Sequence, residues 1–350
     1  MTSIKHEMKP LAGTRIVDLS RYAPGPYGSL VCAALGAEVI KVEAPVGGDP
    51  LRQMDAQAFE RLNQGKKSVV LDLKTEVGAA ELRRLLGTAR VVIESFRPGV
   101  MARLGLDYAS VQTAAPEIIY VSISGYGQSG PSAARAGHDV NYMASAGALD
   151  GIGKPLPVQV ADFAAGGLYA VIAILAALME GHESQESQES TSRFIDLSMH
   201  EGVLSLSRLS DGDGELSDRL SGRHPNYTVY TTKDGGALSV GALEPKFWKA
   251  FCDVVERPDW VTRTGDPELR AHVAELIQTR TRDAWEKLFR EADACVEVVR
   301  TAREAFAHPQ TTHRGQTLSD FQLPFGLTRT ALGKAPELGE HTEEILGALG

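Results

Sequence analysis

Residues 11–43, LAGTRIVDLSRYAPGPYGSLVCAALGAEVIKVE, decide the fold. Leu11 to Leu19 is a β-rich strand, Tyr22-Ala-Pro-Gly-Pro26 is a tight loop, and Tyr27 to Leu35 is an apolar helix that Gly36 ends. Glu38-Val-Ile-Lys-Val-Glu43 is the next strand. This is a βαβ opening, and it predicts a doubly wound, Rossmann-like α/β domain. The loop does not suit a dinucleotide: no GxGxxG lies between strand and helix, and Pro24 and Pro26 offer no amide N–H to a pyrophosphate.

Outward from this unit, Asn63 to Lys74 is a basic turn running into a strand and is the best local place for phosphate groups. Helix 76–86 and strand Arg90 to Glu94 follow, then Ser95-Phe-Arg97-Pro-Gly99, which sets an arginine and a ring at the carboxyl edge of a parallel sheet, where ligands of open α/β folds bind. Ile118 to Ser124 is another strand, and Gly125 to Pro131 is a flexible loop placed to cover a ligand. Glu183 to Ser190 repeats a polar triplet and reads as a mobile surface loop. Phe194 to Met199 resumes a strand, and the polar, Gly-rich stretch 205–223 is a linker. Strands Tyr227 to Thr232 and Ala237 to Val240, joined at Lys233-Asp-Gly-Gly, and helices near 245–256, 267–278 and 282–291 then make a small α+β unit.

With 350 residues, 43% of them hydrophobic, the chain has room for two domains and a proper core. Its net charge of -9 argues against nucleic acid as a partner, because a phosphate backbone needs Lys and Arg in surplus on one face. The apolar run Phe163 to Met179 predicts a core helix rather than a membrane span, and Gly166-Gly167 suits close packing on a sheet or on another chain. Cys32, Cys252 and Cys295 stand in apolar surroundings without metal-ligand spacing, so neither disulfides nor a metal site is expected. Together with the polar start Met1 to Pro10, this predicts a cytoplasmic protein.

Two stretches carry chemistry. Ala136-Gly-His138-Asp139-Val-Asn-Tyr142 is a polar turn entering a short helix, 139–149, that Asp139 caps. Pro157-Val-Gln-Val160 reads as a strand whose carboxyl end delivers Asp162 to the first turn of the apolar helix. There the free amides favour an ionised carboxylate and also suit an oxyanion. Each residue has an ordinary reading: Asp162 as an N-cap, His138 as a turn histidine on a backbone carbonyl, Glu244 before Pro245 as a helix-start acid. An imidazole and a carboxylate at two element boundaries across a short loop form a pair, and the pair points to proton transfer.

The motifs in order along nearly the whole chain resemble the class III CoA-transferase (CaiB/BaiF) superfamily, and within it the α-methylacyl-CoA racemase branch. They are Leu11 to Leu19, Leu35-Gly-Ala-Glu-Val-Ile-Lys-Val-Glu43, Arg97-Pro-Gly-Val-Met-Ala-Arg-Leu-Gly-Leu106, Ser124 to Pro131, Ala136 to Tyr142, Ala161-Asp-Phe163, Gly241 to Trp248 and Leu338 to Leu346. The resemblance implies a large CoA-binding domain from 1–205 and 307–350, a linker at 206–225, and an inserted small α+β domain with its return linker at 226–306. It implies an interlocked homodimer with active sites between one subunit's large domain and the other's small domain. His138 and Asp162 become the acid/base pair and Glu244 the residue that orients the histidine. CoA falls to Arg97, Tyr142 and Asp72-Leu73-Lys74. Ala44 stands where the family often has a basic residue, which leaves that phosphate contact to Lys41, Lys66 or Lys67. Gly222-Arg-His-Pro-Asn-Tyr227 is closer to transferase members, and Glu183 to Ser190 replaces the usual Gly-Lys-Gly turn.

The implied chemistry fits these residues. Racemisation of a 2-methyl-branched acyl-CoA by 1,1-proton transfer needs a base on each face of the α-carbon and stabilisation of the enolate oxygen, here by the first-turn amides after Asp162. It needs no metal and no organic cofactor, because CoA arrives as part of the acyl-CoA substrate. Two other readings stay open: a CoA-transferase that forms an aspartyl-CoA thioester on Asp162, and an acyl-CoA-binding protein without turnover.

Overall fold

A computed structural model of the chain describes residues 9–150, 152, 154–184, 192–209, 214–266, 268–325 and 331–349, with backbone only for 181–184. The βαβ opening is present as β1 (Arg15–Asp18), the helix Pro24–Ala34 and β2 (Glu38–Glu43). Four more strands join them: β3 (Lys67–Val70), β4 (Val91–Glu94), β5 (Ile119–Ser124) and β6 (Arg193–Ser198). All pairings are parallel, in the order β3-β2-β1-β4-β5-β6. The chain builds outward from β1 through β2 to β3, then returns to the other side of β1 with β4. This reversal opens a crevice at the carboxyl ends of β1 and β4.

Side chains alternate between two buried layers, as a sheet covered on both faces requires. Ile16, Val39, Val91 and Ile93 join one layer, and their neighbours Val17, Ile40 and Val92 join the other. The β3 edge is closed by the C-terminal segment: the His341 N–H donates to Ser68 O at 2.9 Å, and the Val70 N–H donates to Thr342 Oγ1 at 3.0 Å.

The stretch before Asp162 departs from expectation. No strand forms at Pro157 to Val160; instead Val160–Leu168 is a π-helical segment that continues as the α-helix Tyr169–Ser184. Two prolines, Pro155 and Pro157, remove the amides a ladder needs, and Val158 stays largely exposed rather than entering the sheet. The run Val160–Glu180 is long and apolar enough to cross a membrane, yet its small residues Ala161, Ala165, Gly166, Gly167 and Ala170 are buried in the fold. A Cβ on Gly167 would stand 2.7 Å from the Tyr27 ring, so within the chain the expected close approach of the glycines is made to the helix Pro24–Ala34 rather than to the sheet.

The chain divides into two compact units, Met1–Ser207 with Thr312–Gly350, and Arg208–Thr311. In the second, β7 (Tyr227–Thr231), β8 (Ala237–Gly241) and β9 (Val296–Val298) form an antiparallel sheet; β9 has no counterpart in the sequence reading. The helices Pro245–Val254, Leu269–Ile277 and Arg282–Phe289 bury Trp248, Phe251 and Trp285 in a separate core with Trp260. The linker expected at 205–223 contains a helix, Glu215–Leu220, and residues 210–213 within it lie outside the described residues. Most of the polar repeat, 185–190, also lies outside them. Cys32 and Cys252 are buried as read, but Cys295 is exposed.

Candidate active site

At the carboxyl ends of β1 to β4 lies a cleft of about 620 Å3 with a buried, charged floor. Asp18 closes β1 with both oxygens occupied: Oδ1 accepts from the Ser20 N–H at 2.9 Å and from the Ser20 hydroxyl, and Oδ2 accepts from Ser29 Oγ at 2.5 Å and from Lys66 Nζ at 3.2 Å. Lys66 donates further to Pro26 O and Asn63 Oδ1, each at 2.9 Å. On β2, Lys41 pairs with Asp49 at 2.9 Å, and Glu43 holds Arg52 at 2.7 Å. Burial opposes the Asp18 charge, but Lys66, Lys41 and the two hydroxyls outweigh it and hold the carboxyl down to about 2. Burial also takes Lys66 down to about 8, where Asp18 keeps it charged at neutral pH.

Lys41 and Lys66 are therefore committed to Asp49 and Asp18, which corrects the idea that they serve a phosphate near Ala44. Lys67 lies outside the cleft lining and holds Glu344 at 3.0 Å and Glu38 at 3.1 Å. Of the residues expected to hold CoA, Arg97, Asp72, Leu73 and Lys74 do line the cleft, with Ala44 at its rim. The ring expected at Phe96 lines it too, and two unexpected neighbours, Arg21 and Tyr22, join them. The Arg21 guanidinium lies 4.6 Å over the Phe96 ring, and the half-exposed Tyr22 holds a left-handed φ of 64°. Among the described residues, Arg21, Lys74 and Arg97 line the cleft without an ion pair, and so present charge to an anionic ligand.

The acid/base candidates stand on other elements. His138, not Asp139, is the N-cap of the helix Asp139–Ser145, and its N–H donates to Asn141 Oδ1 at 3.0 Å. Asp139 turns inward at the first helical position, nearly buried, and its Oδ1 accepts the Asp162 N–H at 3.0 Å. That contact brings the two stretches together. The Asp162 carboxylate is half-buried and makes no side-chain hydrogen bond or ion pair with any described residue. Burial and the Asp139 charge raise it to about 6, against the pull of His138. Two of the amides expected to face an oxyanion are already engaged, Asp162 with Asp139 and Phe163 with Gln159 O at 3.0 Å.

Tyr142 is buried and lies outside the cleft lining; its hydroxyl donates to Gly137 O at 2.6 Å, beside His138. A Cβ on Gly125 would stand 2.4 Å from the Tyr142 ring, which explains why a glycine opens the loop after β5. The Tyr126 ring lies 5.2 Å from Tyr142 and 5.7 Å from His200. Glu244 belongs to the second unit, where it is exposed and caps the helix Pro245–Val254 through its backbone carbonyl. The sequence reading missed Asp139 and Arg21 as parts of the site. A second acid directly after His138 was the available signal for the first; nothing local marked the second.

A model of CoA-transferase family III matches residues 11–342. The chain belongs to that family. It is 36% identical to human alpha-methylacyl-CoA racemase over 97% of this chain and 93% of the relative. It is 32% identical to succinate–glutarate CoA-transferase of Agrobacterium fabrum over 100% and 98% of the two chains. Among solved structures, a CaiB/BaiF family protein from Brucella suis superposes with a TM-score of 0.81 at 26% identity, covering 98% of this chain and 100% of that one. Family members are thus enzymes of acyl-CoA chemistry, and racemases and CoA-transferases both stand near this chain. A cleft lined by Arg21, Lys74 and Arg97, unpaired among the described residues, suits the phosphates of CoA, and a raised carboxyl beside an imidazole suits proton transfer.

Proposed function

We propose that this protein racemises 2-methyl-branched acyl-CoA thioesters by 1,1-proton transfer. The supporting observation is Asp162: a half-buried carboxyl without a cation partner among the described residues, coupled to His138 and raised to about 6. At that value it changes hands with a proton near neutral pH, as a group that serves as base in one direction and acid in the other must. One of the pair removes the α-proton, leaving an enolate. The other, protonated, returns a proton on the opposite face, and the pair ends with its protons exchanged. The positive end of the helix beginning at Val160 stabilises the enolate oxygen. Arg97, Lys74 and Arg21 hold the CoA phosphates. No metal or organic cofactor takes part.

The working unit is an interlocked, cytoplasmic homodimer in which the second unit is the inserted small domain and the partner's Glu244 orients His138. A CoA-transferase is the second reading, favoured by the Agrobacterium relative and by Gly222 to Tyr227. There the Asp162 carboxylate attacks the thioester carbonyl, CoA leaves as thiolate, and the resulting mixed anhydride is opened by that thiolate to give aspartyl-CoA and the free acid.

Incubation with a (2R)-2-methylacyl-CoA in heavy water, without an acceptor acid, separates the two. Deuterium at C2 with inversion, lost in His138→Ala and Asp162→Ala, is the expected result. CoA transfer on adding an acceptor, with no exchange, would replace the racemase reading by the transferase one.

A further inference from the structure

We infer that Glu94 is a positioning residue that sets the Phe96-Arg97 wall of the cleft and ties it to the glycine-rich loop packed on Tyr142. The inference rests on the reading of the cleft as the CoA site. Glu94 is the last residue of β4 and is only 3% exposed. No cation pairs with it among the described residues, an arrangement that disfavours an ionised carboxylate unless hydrogen bonds compensate.

Its two oxygens face different parts of the site. Oε2 accepts the Phe96 N–H at 2.7 Å, which turns the chain sharply after β4 and presents Phe96 and Arg97 to the cleft, with Arg21 over the Phe96 ring. Oε1 accepts the hydroxyl of Ser122 on β5. Ser122 Oγ in turn accepts from Gln128 Nε2 at 2.7 Å, and the Gln128 N–H donates to both Asp196 carboxylate oxygens at 3.0 Å. Gln128 lies in the loop Gly125 to Pro131, which meets the Tyr142 ring at Gly125 and at Tyr126. Tyr142 holds Gly137 O beside His138. One side chain thus bonds directly to the cleft wall and, through Ser122 and Gln128, to the support of the acid/base residues.

The surroundings explain why the group has this reach and no other partner. Glu94 borders a cavity of about 300 Å3 whose walls include the rings of Tyr108, Tyr120 and Phe194. Burial there, with Asp196 nearby, raises the carboxyl to about 7. Accepting from Phe96 and bonding to Ser122 are both possible for a neutral amide, so length, not charge, is the property that the site uses.

The test compares Glu94→Gln with Glu94→Asp in the full-length protein, reading CoA affinity by calorimetry, thermal unfolding, and hydrogen exchange of the 125–131 amides with and without CoA. Glu94→Gln keeps the reach and is expected to bind CoA within about threefold of wild type. Glu94→Asp keeps the charge but is one methylene short; it is expected to fold, to bind about tenfold more weakly, which corresponds to one lost hydrogen bond, and to lose CoA-dependent protection of the loop. That protection is the readout a purely structural role would leave unmoved, since residues 125–131 do not line the cleft. If Glu94→Asp fails to fold, Ser122→Ala decides: loss of loop protection with CoA still bound supports the link, and retained protection overturns it. Wild-type affinity and protection in Glu94→Asp would overturn the inference alone. No binding of CoA by the wild type would overturn the CoA reading and this inference with it.

Discussion

The floor of the cleft and the acid/base pocket both bury carboxylates, and they treat them in opposite ways. Asp18 has a lysine, a second lysine nearby and two hydroxyls around it; Asp162 has another acid, an exposed histidine and no ion pair among the described residues. The first is held ionised across the physiological range and does not change state. The second is left near its point of titration. Burial alone therefore does not mark a functional acid. Burial with neither a compensating cation nor hydrogen-bond donors does: Glu94, buried without a cation, has both oxygens occupied by Phe96 and Ser122, whereas the Asp162 carboxylate has no such partner among the described residues and remains reactive.

The comparison breaks most visibly at Asp162. Asp162→Ala is expected to lower turnover by a factor of about 10^2 to 10^4, and in the direction in which Asp162 is the base the wild-type rate should fall as pH drops through about 6, where the carboxylate takes up its proton. A flat pH profile from 5 to 8 would show that Asp162 does not titrate in the rate-determining step. On the other side, Lys66→Met removes the main partner of Asp18 and is expected to cost about 3 to 5 kcal/mol in urea unfolding, because it strands a buried charge.

Smaller effects sharpen the contrast. Arg97→Ala should weaken CoA binding about tenfold, with a shallower salt dependence than wild type, since one phosphate contact is lost. The two carboxylates should also leave opposite signatures in stability. Asp18 has a folded value below its usual 3.8, so its contribution is present above about pH 4 and lost as pH falls toward 2. Asp162 has a folded value above 3.8; the native state binds its proton more tightly, and stability declines as pH rises from about 4 to 6. Asp162→Asn should therefore be inactive yet more stable than wild type above pH 6, which thermal unfolding at pH 5 and pH 7.5 will show.

Much of this was legible in the chain. The βαβ opening, the parallel strands and the two strands around Lys233 follow from short apolar runs bounded by Gly and Pro, and local rules suffice for them. What failed was non-local. Pro157 to Val160 has strand composition, but Pro155 and Pro157 withhold the amides that a ladder needs, and β9 is too short to announce itself before β8 is known. Lys41 and Lys66 looked like phosphate ligands because a sequence lists charges without their partners; Asp49 and Asp18 absorb both. Asp139 was read as a cap because Asp at a helix start usually is one, whereas here the inward-facing acid aligns the backbone of Asp162.

The closure of β3 has a consequence for synthesis. Ser68 and Val70 wait for residues 271 and 272 positions downstream, Gly339 and Thr342, before their edge is covered. Through most of translation the nascent sheet carries a parallel strand with one row of peptide groups open, a template for pairing with another chain. Lys67 at that edge, paired with Glu38 of the neighbouring strand, keeps charged side chains there that discourage such pairing until Glu344 arrives as a second partner.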